Sequence, residues 1–374
     1  MQPHSLMRVG GIRIVVDPTW FLVFLLVVGS LGSDYLPAAA PHLKAVTSWF
    51  LAVLAALLLF GSVLVHELSH AFLARRAGIP VPRIRLFLFG GVSEMSAEPH
   101  EPRAELRIAV AGPLTSLAIA ALGFACSVAL EGPKPSGARA MVEYIAVANL
   151  LLALFNLLPG LPLDGGRILR ALLWWHHGNL LRATRTAGRS GAVLGWLLAA
   201  LGLVRVLLGG WLGGLWLMVV GLFLSRAAMA TTESSLLRES LRGARVRQLM
   251  TREVVTVPDH ISLDEMVREI ALQRPFAAYP VVAGDQYAGM IDLDRVRRVA
   301  REDWVRTPVR QVMTMAALAP PVAPDDDVLM VLERMLREDR NLFTVVVEGR
   351  VTGVLARVDI LKLYRVRSTL DAVE

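Results

Sequence analysis

The chain of 374 residues is 55% hydrophobic and 19% charged, with a formal net charge of +7. Its arginines are scattered over loops that flank long apolar runs instead of forming one basic face, which excludes nucleic-acid binding as the reading of that charge. The lone cysteine, Cys126, rules out an internal disulfide; lying in an apolar run with no ligand partner nearby, it is expected to be a buried small residue.

The long uncharged runs all precede about residue 228. A helix of about 20 apolar residues crosses a bilayer, and six such spans fit, near 19–36, 47–73, 106–130, 140–160, 190–207 and 211–228. Arginines are concentrated in the segments after the second and fourth spans, 75–107 and 159–190. The positive-inside rule then places both termini in the cytoplasm of a multi-pass cell-membrane protein.

Before the first span, residues 11–16 predict a short strand. The second span contains no charge from Ala45 to Val65 and then runs into His66-Glu67-Leu68-Ser69-His70. Residues four apart share a helix face, so His66 and His70 can address one metal ion, with the Glu67 carboxylate beside them to take a proton from bound water. Ionisable groups at membrane depth cost about 2.5–3.5 kcal/mol each on insertion scales, which marks them as functional. The stretch 81–98 alternates apolar and polar side chains and predicts a hairpin turning at Gly90-Gly91, with 11–16 as a partner strand. The open edge of such a sheet can take up a substrate segment as an extra strand.

The fourth span ends in Asn156-Leu157-Leu158-Pro159-Gly160-Leu161-Pro162-Leu163-Asp164-Gly165-Gly166. Two prolines break the helix, and irregular backbone at that depth is tolerated only where it lines a cavity. A catalytic zinc takes three protein ligands and keeps one position open, and Asp164, the only acid in the region, is the candidate third ligand. The alternative is that Asp164 caps the next helix. His176 and His177 read as interfacial, and His4, His42, His100 and His260 have no ligand spacing.

Together, His66-Glu67-x-x-His70 and Asn156…Pro159…Asp164-Gly165-Gly166 resemble the site-2 protease family of intramembrane zinc metalloproteases over roughly residues 8–230. The resemblance implies that His66, His70 and Asp164 bind one zinc ion and that Glu67 is the general base. It also implies that Asn156 holds substrate or oxyanion, and it matches the family's third-span motif to Gly112 and Ser116 and its membrane-associated strand to Phe89-Gly90-Gly91. The activity implied is hydrolysis of peptide bonds in or near transmembrane segments of membrane-anchored proteins. In bacteria such substrates include anti-sigma factors and membrane-tethered transcription factors. The competing reading is a metal or ion transporter using the same His/Asp site; a catalytically idle scaffold is a third.

Residues 229–244 are rich in Ser, Thr and Arg and read as a linker. Beyond it, Val246-Arg247-Gln248-Leu249-Met250-Thr251 recurs as Val309-Arg310-Gln311-Val312-Met313-Thr314, an internal repeat. Each copy predicts an amphipathic helix (264–273, 326–338) and short strands (279–283, 343–347). The pattern resembles a pair of cystathionine-β-synthase (CBS) domains, so the fold expected is a six-span helical membrane domain with a small membrane-associated sheet (1–228), then α/β CBS domains at 245–303 and 304–374. CBS pairs bind adenine nucleotides, dimerise and regulate attached enzymes. The nucleotide signature Gly-x-x-(Ser/Thr)-x-x-Asp is incomplete here. Copy one ends in Arg295 in place of the aspartate, and copy two, from Gly353, retains only Asp359. A nucleotide near Asp359 and a purely dimerising pair both remain open.

Overall fold

A computed structural model describes residues 4–88, 90–132 and 136–370. Among the described residues, six helices are long and apolar enough to cross a membrane: α1 (Pro18–Ala39), α2 (Ala45–Arg76), α3 (Pro102–Ala129), α4 (Gly137–Asn156), α6 (Leu180–Leu207) and α7 (Trp211–Leu241). Between the fourth and fifth spans lies the shorter α5 (Asp164–His177). The chain divides into two compact units, Met1–Ser235 and Leu236–Glu374. The stretch expected as a linker is helical as far as Leu241, because α7 runs well past residue 228.

The spans show the packing logic of a bilayer. On α6 the buried positions are Ala183, Thr184, Ala187, Gly188, Gly191, Gly195, Ala199 and Gly202, whereas Trp196, Leu197, Leu201 and Val204 face outward. Lipid tails are as apolar as leucine, so association rests on close backbone approach, which small residues permit. Cys126 follows the outward pattern: it is exposed on α3, contrary to the expectation that it is buried.

The first unit also carries a sheet of β1 (His4–Val9), β2 (Ile12–Val16), β3 (Arg83–Phe87) and β4 (Gly90–Glu94), in the order β1-β2-β3-β4. The expected partnership holds: β2 runs parallel to β3, with Ile14 opposite Ile84, and β3 is antiparallel to β4. Ile12, Ile14, Val16, Ile84 and Leu86 form one apolar face packed on Ala71 and Ala74 of α2 and Ile108 of α3. The sheet therefore lies directly against the helix that carries the two histidines, and β4 is an edge. One detail differs from expectation. Gly90 and Gly91 belong to β4 instead of forming the turn, which includes Leu88; Phe89 lies outside the described residues.

The second unit contains the short helices α8 (Val246–Leu249), α9 (Leu263–Glu265), α10 (Leu293–Arg297) and α11 (Val309–Val312), and the longer α12 (Val328–Arg337) and α13 (Arg357–Leu370). Its strands β5 (Val257–Pro258), β6 (Ala278–Ala283), β7 (Gln286–Asp292) and β8 (Thr314–Met315) form one sheet, and β9 (Leu342–Val347) pairs with β10 (Arg350–Ala356). The repeat is visible in three dimensions, since β6–β7 and β9–β10 are both antiparallel hairpins with a register shift near their centres.

Candidate metal centre

His66 and His70 are both buried on one face of α2, and their Nε2 atoms lie 3.3 Å apart. Asp164 Oδ2 completes a triangle, 3.2 Å from each Nε2. The other ring nitrogens are engaged. His70 Nδ1 donates to the Ile108 carbonyl at 2.7 Å, and His66 Nδ1 is hydrogen-bonded with Ser116 Oγ at 2.9 Å. The carbonyl can only accept, which fixes the His70 tautomer and leaves its Nε2 lone pair toward the carboxylate oxygen; the hydroxyl holds the His66 ring in orientation. Three electron-rich atoms this close need a cation or protons between them. Zinc bonds of about 2.0–2.1 Å would place tetrahedral ligand atoms about 3.3–3.4 Å apart, so this triangle fits such an ion. Among the described residues this is the His/Cys/Asp/Glu group of three or more able to hold a metal.

Close backbone approach creates the room. A Cβ on Gly112 would collide with the Nε2 atoms of both histidines. Ser116, one turn along α3, is the hydrogen-bond partner of His66, so Gly112 and Ser116 address the histidine pair from one helix face. Asp164 is the first residue of α5, with Leu163 as the N-cap. The loop before it is tied to α6: the Leu161 N–H donates to the Ala187 carbonyl at 3.1 Å, and Ser190 Oγ donates to the Pro159 carbonyl. Gly165 and Gly166 lie so close under this loop that a Cβ on either would strike its backbone.

Two turns further along α5, the buried Arg170 anchors the helix. Its Nε donates to Glu105 Oε1 on α3 at 2.7 Å, and its Nη1 lies 3.4 Å from both Glu98 and Ser235 Oγ. Sequence patterns alone did not single out this network, because its members come from four distant segments.

Glu67, which follows His66 on α2, is half-buried, with its carboxylate oxygen Oε2 2.7 Å from Ser93 Oγ on β4. Asn156, the last residue of α4, donates through Nδ2 to the Leu152 carbonyl at 3.0 Å within its own helix. In the second unit a cleft of about 820 Å³ is lined by residues that include Asp292, Arg295, Arg340, Asn341, Arg357 and Leu361. Asp359 is engaged locally, accepting the Ala356 N–H at 3.3 Å and lying 3.4 Å from Lys362 Nζ.

Comparison with known proteins agrees with this architecture. The profile for Peptidase family M50 matches residues 54–135 and 131–198, and the CBS domain profile matches 246–302 and 309–366. Rip3 of Mycobacterium tuberculosis, named as a zinc metalloprotease, is 36% identical over 96% of this chain and 92% of its own length. The zinc metalloprotease MJ0392 of Methanocaldococcus jannaschii is 29% identical over 96% of this chain and 94% of its own length. The solved site-2 protease of the same archaeon is 30% identical, covers 62% of this chain and 95% of its own, and superposes with a TM-score of 0.43. The chain belongs to Peptidase family M50, the site-2 proteases, and is a multi-pass membrane zinc metalloendopeptidase that carries a pair of CBS domains.

Proposed function

We propose that this protease hydrolyses peptide bonds in or near the transmembrane segments of membrane-anchored proteins, with His66, His70 and Asp164 holding the zinc and Glu67 acting as general base. The observation that carries this reading is the 3.2–3.3 Å triangle of ligand atoms, with Glu67 adjoining His66 on the helix that supplies both histidines. Zinc, when bound there, supplies Lewis acidity for a peptide carbonyl and acidifies water toward a pKa of about 7.

The protein's own groups do the rest. Glu67 removes a proton from the attacking water and returns it to the nitrogen of the departing amine. Asn156, at the mouth of the broken helix, turns its amide from Leu152 toward substrate and steadies the developing oxyanion. The open edge of β4 pairs with a substrate segment that has left its helix, since a helical carbonyl is hidden from attack. Substrates with helix-breaking residues near the cytoplasmic end of a span are therefore preferred.

Family membership favours hydrolysis over ion transport at the same residues. The arginine distribution supports cytoplasmic termini, which fusions of reporter proteins to each end would check. Contact with membrane lipid follows from the outward-facing apolar side chains of the spans. Anti-sigma factors and membrane-tethered transcription factors are the substrate classes suggested by resemblance. In the second unit, an adenine nucleotide occupies the 820 Å³ cleft lined by Arg357 and Val358, the residues that precede Asp359 in the chain, and the CBS pair forms a homodimer that regulates the protease. Equilibrium binding of ATP to the full chain, beside Asp359→Ala, tests the nucleotide.

The principal experiment has two parts. Zinc content of the detergent-purified protein is compared with that of His66→Ala and Asp164→Ala; about one ion per chain, lost or weakened in both variants, is expected. Glu67→Gln is then compared with wild type on a designed single-span protein carrying a Gly-Pro pair near its cytoplasmic end. Retained zinc without release of a cytoplasmic fragment is expected, and release by Glu67→Gln would overturn the general-base assignment.

A further inference from the structure

Strand β4 approaches Glu67 more closely than a plain surface hairpin needs to. Its residues alternate between two faces. Arg83 and Arg85 of β3 pair in register with Glu94 and Val92, whereas Ile84 and Leu86, which face α2 and α3, pair with Ser93 and Gly91. Gly91 and Ser93 are thus the β4 residues on the inner face. A Cβ on Gly91 would stand 2.5 Å from Glu67 Cγ and 3.1 Å from its Cδ, so the glycine makes room for that side chain. Two residues on, Ser93 Oγ lies 2.7 Å from Glu67 Oε2 and 3.1 Å from the Glu67 backbone carbonyl. A hydroxyl has one proton to give. The shorter contact and the charge on the carboxylate direct it to Oε2.

We propose that Ser93 is a positioning residue for the general base. Its hydroxyl, delivered by the edge strand, holds Glu67 Oε2 in place and leaves Oε1 free to receive the proton of the attacking water. The inference rests on the reading of Glu67 as that base. Glutamate has three rotatable bonds, and a half-buried one has several rotamers available. One hydrogen bond from a rigid strand selects among them, which is how supporting groups keep a reacting group within productive geometry. Ser93 touches neither the ligand triangle nor, on this reading, the substrate's reacting atoms, so its effect falls on turnover and spares metal binding.

The test compares wild type, Ser93→Ala, Ser93→Thr and Glu67→Gln, all full-length in lipid vesicles with the single-span Gly-Pro substrate. Zinc content and thermal midpoint are measured on each. Ser93→Ala should keep its zinc and hold KM within about twofold, while kcat falls about ten- to a hundredfold, the worth of one hydrogen bond to a charged group. Ser93→Thr, which restores the hydroxyl on a strand-favouring side chain, should recover most of that loss. A second readout needs no activity. In metal-free protein, the infrared carboxylate band that disappears in Glu67→Gln should shift in Ser93→Ala and return in Ser93→Thr. Wild-type kcat in Ser93→Ala, equal loss in the alanine and threonine variants, or an unmoved band would each overturn the inference. If Glu67→Gln is inactive and Ser93→Ala is not impaired, only this inference fails; an active Glu67→Gln removes the general-base reading and this inference with it.

Discussion

The Gly112→Ala substitution adds one methyl group and should abolish the metal centre while leaving the fold intact. The added Cβ would fall far inside van der Waals contact with both histidine Nε2 atoms and 2.6 Å from His70 Cε1, against the roughly 3.5–4.0 Å at which non-bonded heavy atoms are most comfortable. Relief requires the rings to retreat by about 1 Å, whereas metal–ligand bonds tolerate only about 0.2 Å. Neither ring can retreat and keep its second bond, because Ile108 and Ser116, which hold the two Nδ1 atoms, lie on the same helix as the new methyl group. Zinc affinity should therefore fall by at least about a hundredfold, or about 2.7 kcal/mol. Backbone stability should move the other way if at all, since alanine in a helix is favoured over glycine by up to about 1 kcal/mol. The assay is zinc competition against a chromogenic chelator, with the thermal midpoint of metal-free protein measured alongside. Gly61→Ala is the control, because a Cβ there, on α2, would meet nothing within 4 Å. Gly112→Ala protein that binds zinc as wild type does would refute the argument that backbone approach at this position defines the site.

Ser116→Ala should weaken zinc binding about 10–100-fold by releasing His66 Nδ1, a change readable by the same competition assay. Arg170→Met should cost about 3–5 kcal/mol, because it leaves the buried Glu105 charge without its partner, whereas Glu105→Gln should cost less, since Arg170 keeps Glu98; the double variant should cost less than the sum, as thermal midpoints would show. Chelating the metal should lower the midpoint of wild type, by an amount equivalent to about 2.7 kcal/mol when free zinc had stood at a hundred times its dissociation constant, and should leave Asp164→Ala unmoved. In the second unit, the hydrogen bond from Arg334 (2.8 Å) and the charge of Arg340 hold the Glu338 carboxyl below its ordinary value. Its contribution is present above that ordinary value and lost as pH falls through the lowered one. Glu338→Gln should therefore destabilise by under about 1 kcal/mol at pH 7 and by less in acid, measured by denaturant unfolding at both pH values.

Much of this centre was legible because chemistry and geometry share a short sequence period. His66 and His70 are one helical turn apart, so their convergence follows from local structure alone. Asp164 was accessible by elimination, as the single acid in an apolar stretch ended by two prolines. The strand pairing of 11–16 with 81–98 was readable from alternation, and the two CBS copies from repetition. The turn of the hairpin was misplaced because a Gly-Gly pair signals a turn more often than a strand, whereas here its second glycine admits the Glu67 side chain. The linker at 229–244 was read as separate from the last span because polar residues replaced apolar ones, yet helical backbone continues to Leu241. Polarity marks the end of the bilayer, and the helix has no reason to stop where the bilayer does. Cys126 was misjudged for a related reason: in a bilayer an apolar residue gains nothing from the interior, so its outward position carries no penalty.

What the sequence concealed are the contacts that cross from one element to another: Ser93 to Glu67, Ile108 to His70, Arg170 to Glu105. None has a spacing rule, because each depends on how a strand or helix lies against its neighbour. The glycines at 91, 112, 165 and 166 explain why these elements can lie so close, as each marks a place where a side chain would have pushed the backbone away. The ligands alone do not make the site. Two histidines at i and i+4 are held at membrane depth by a carbonyl and a hydroxyl from α3, and the carboxylate that completes the triangle is delivered by a helix clamped through Arg170. The motif supplies the donors that we propose hold the metal, and the glycines and cross-element hydrogen bonds supply the precision with which those donors meet.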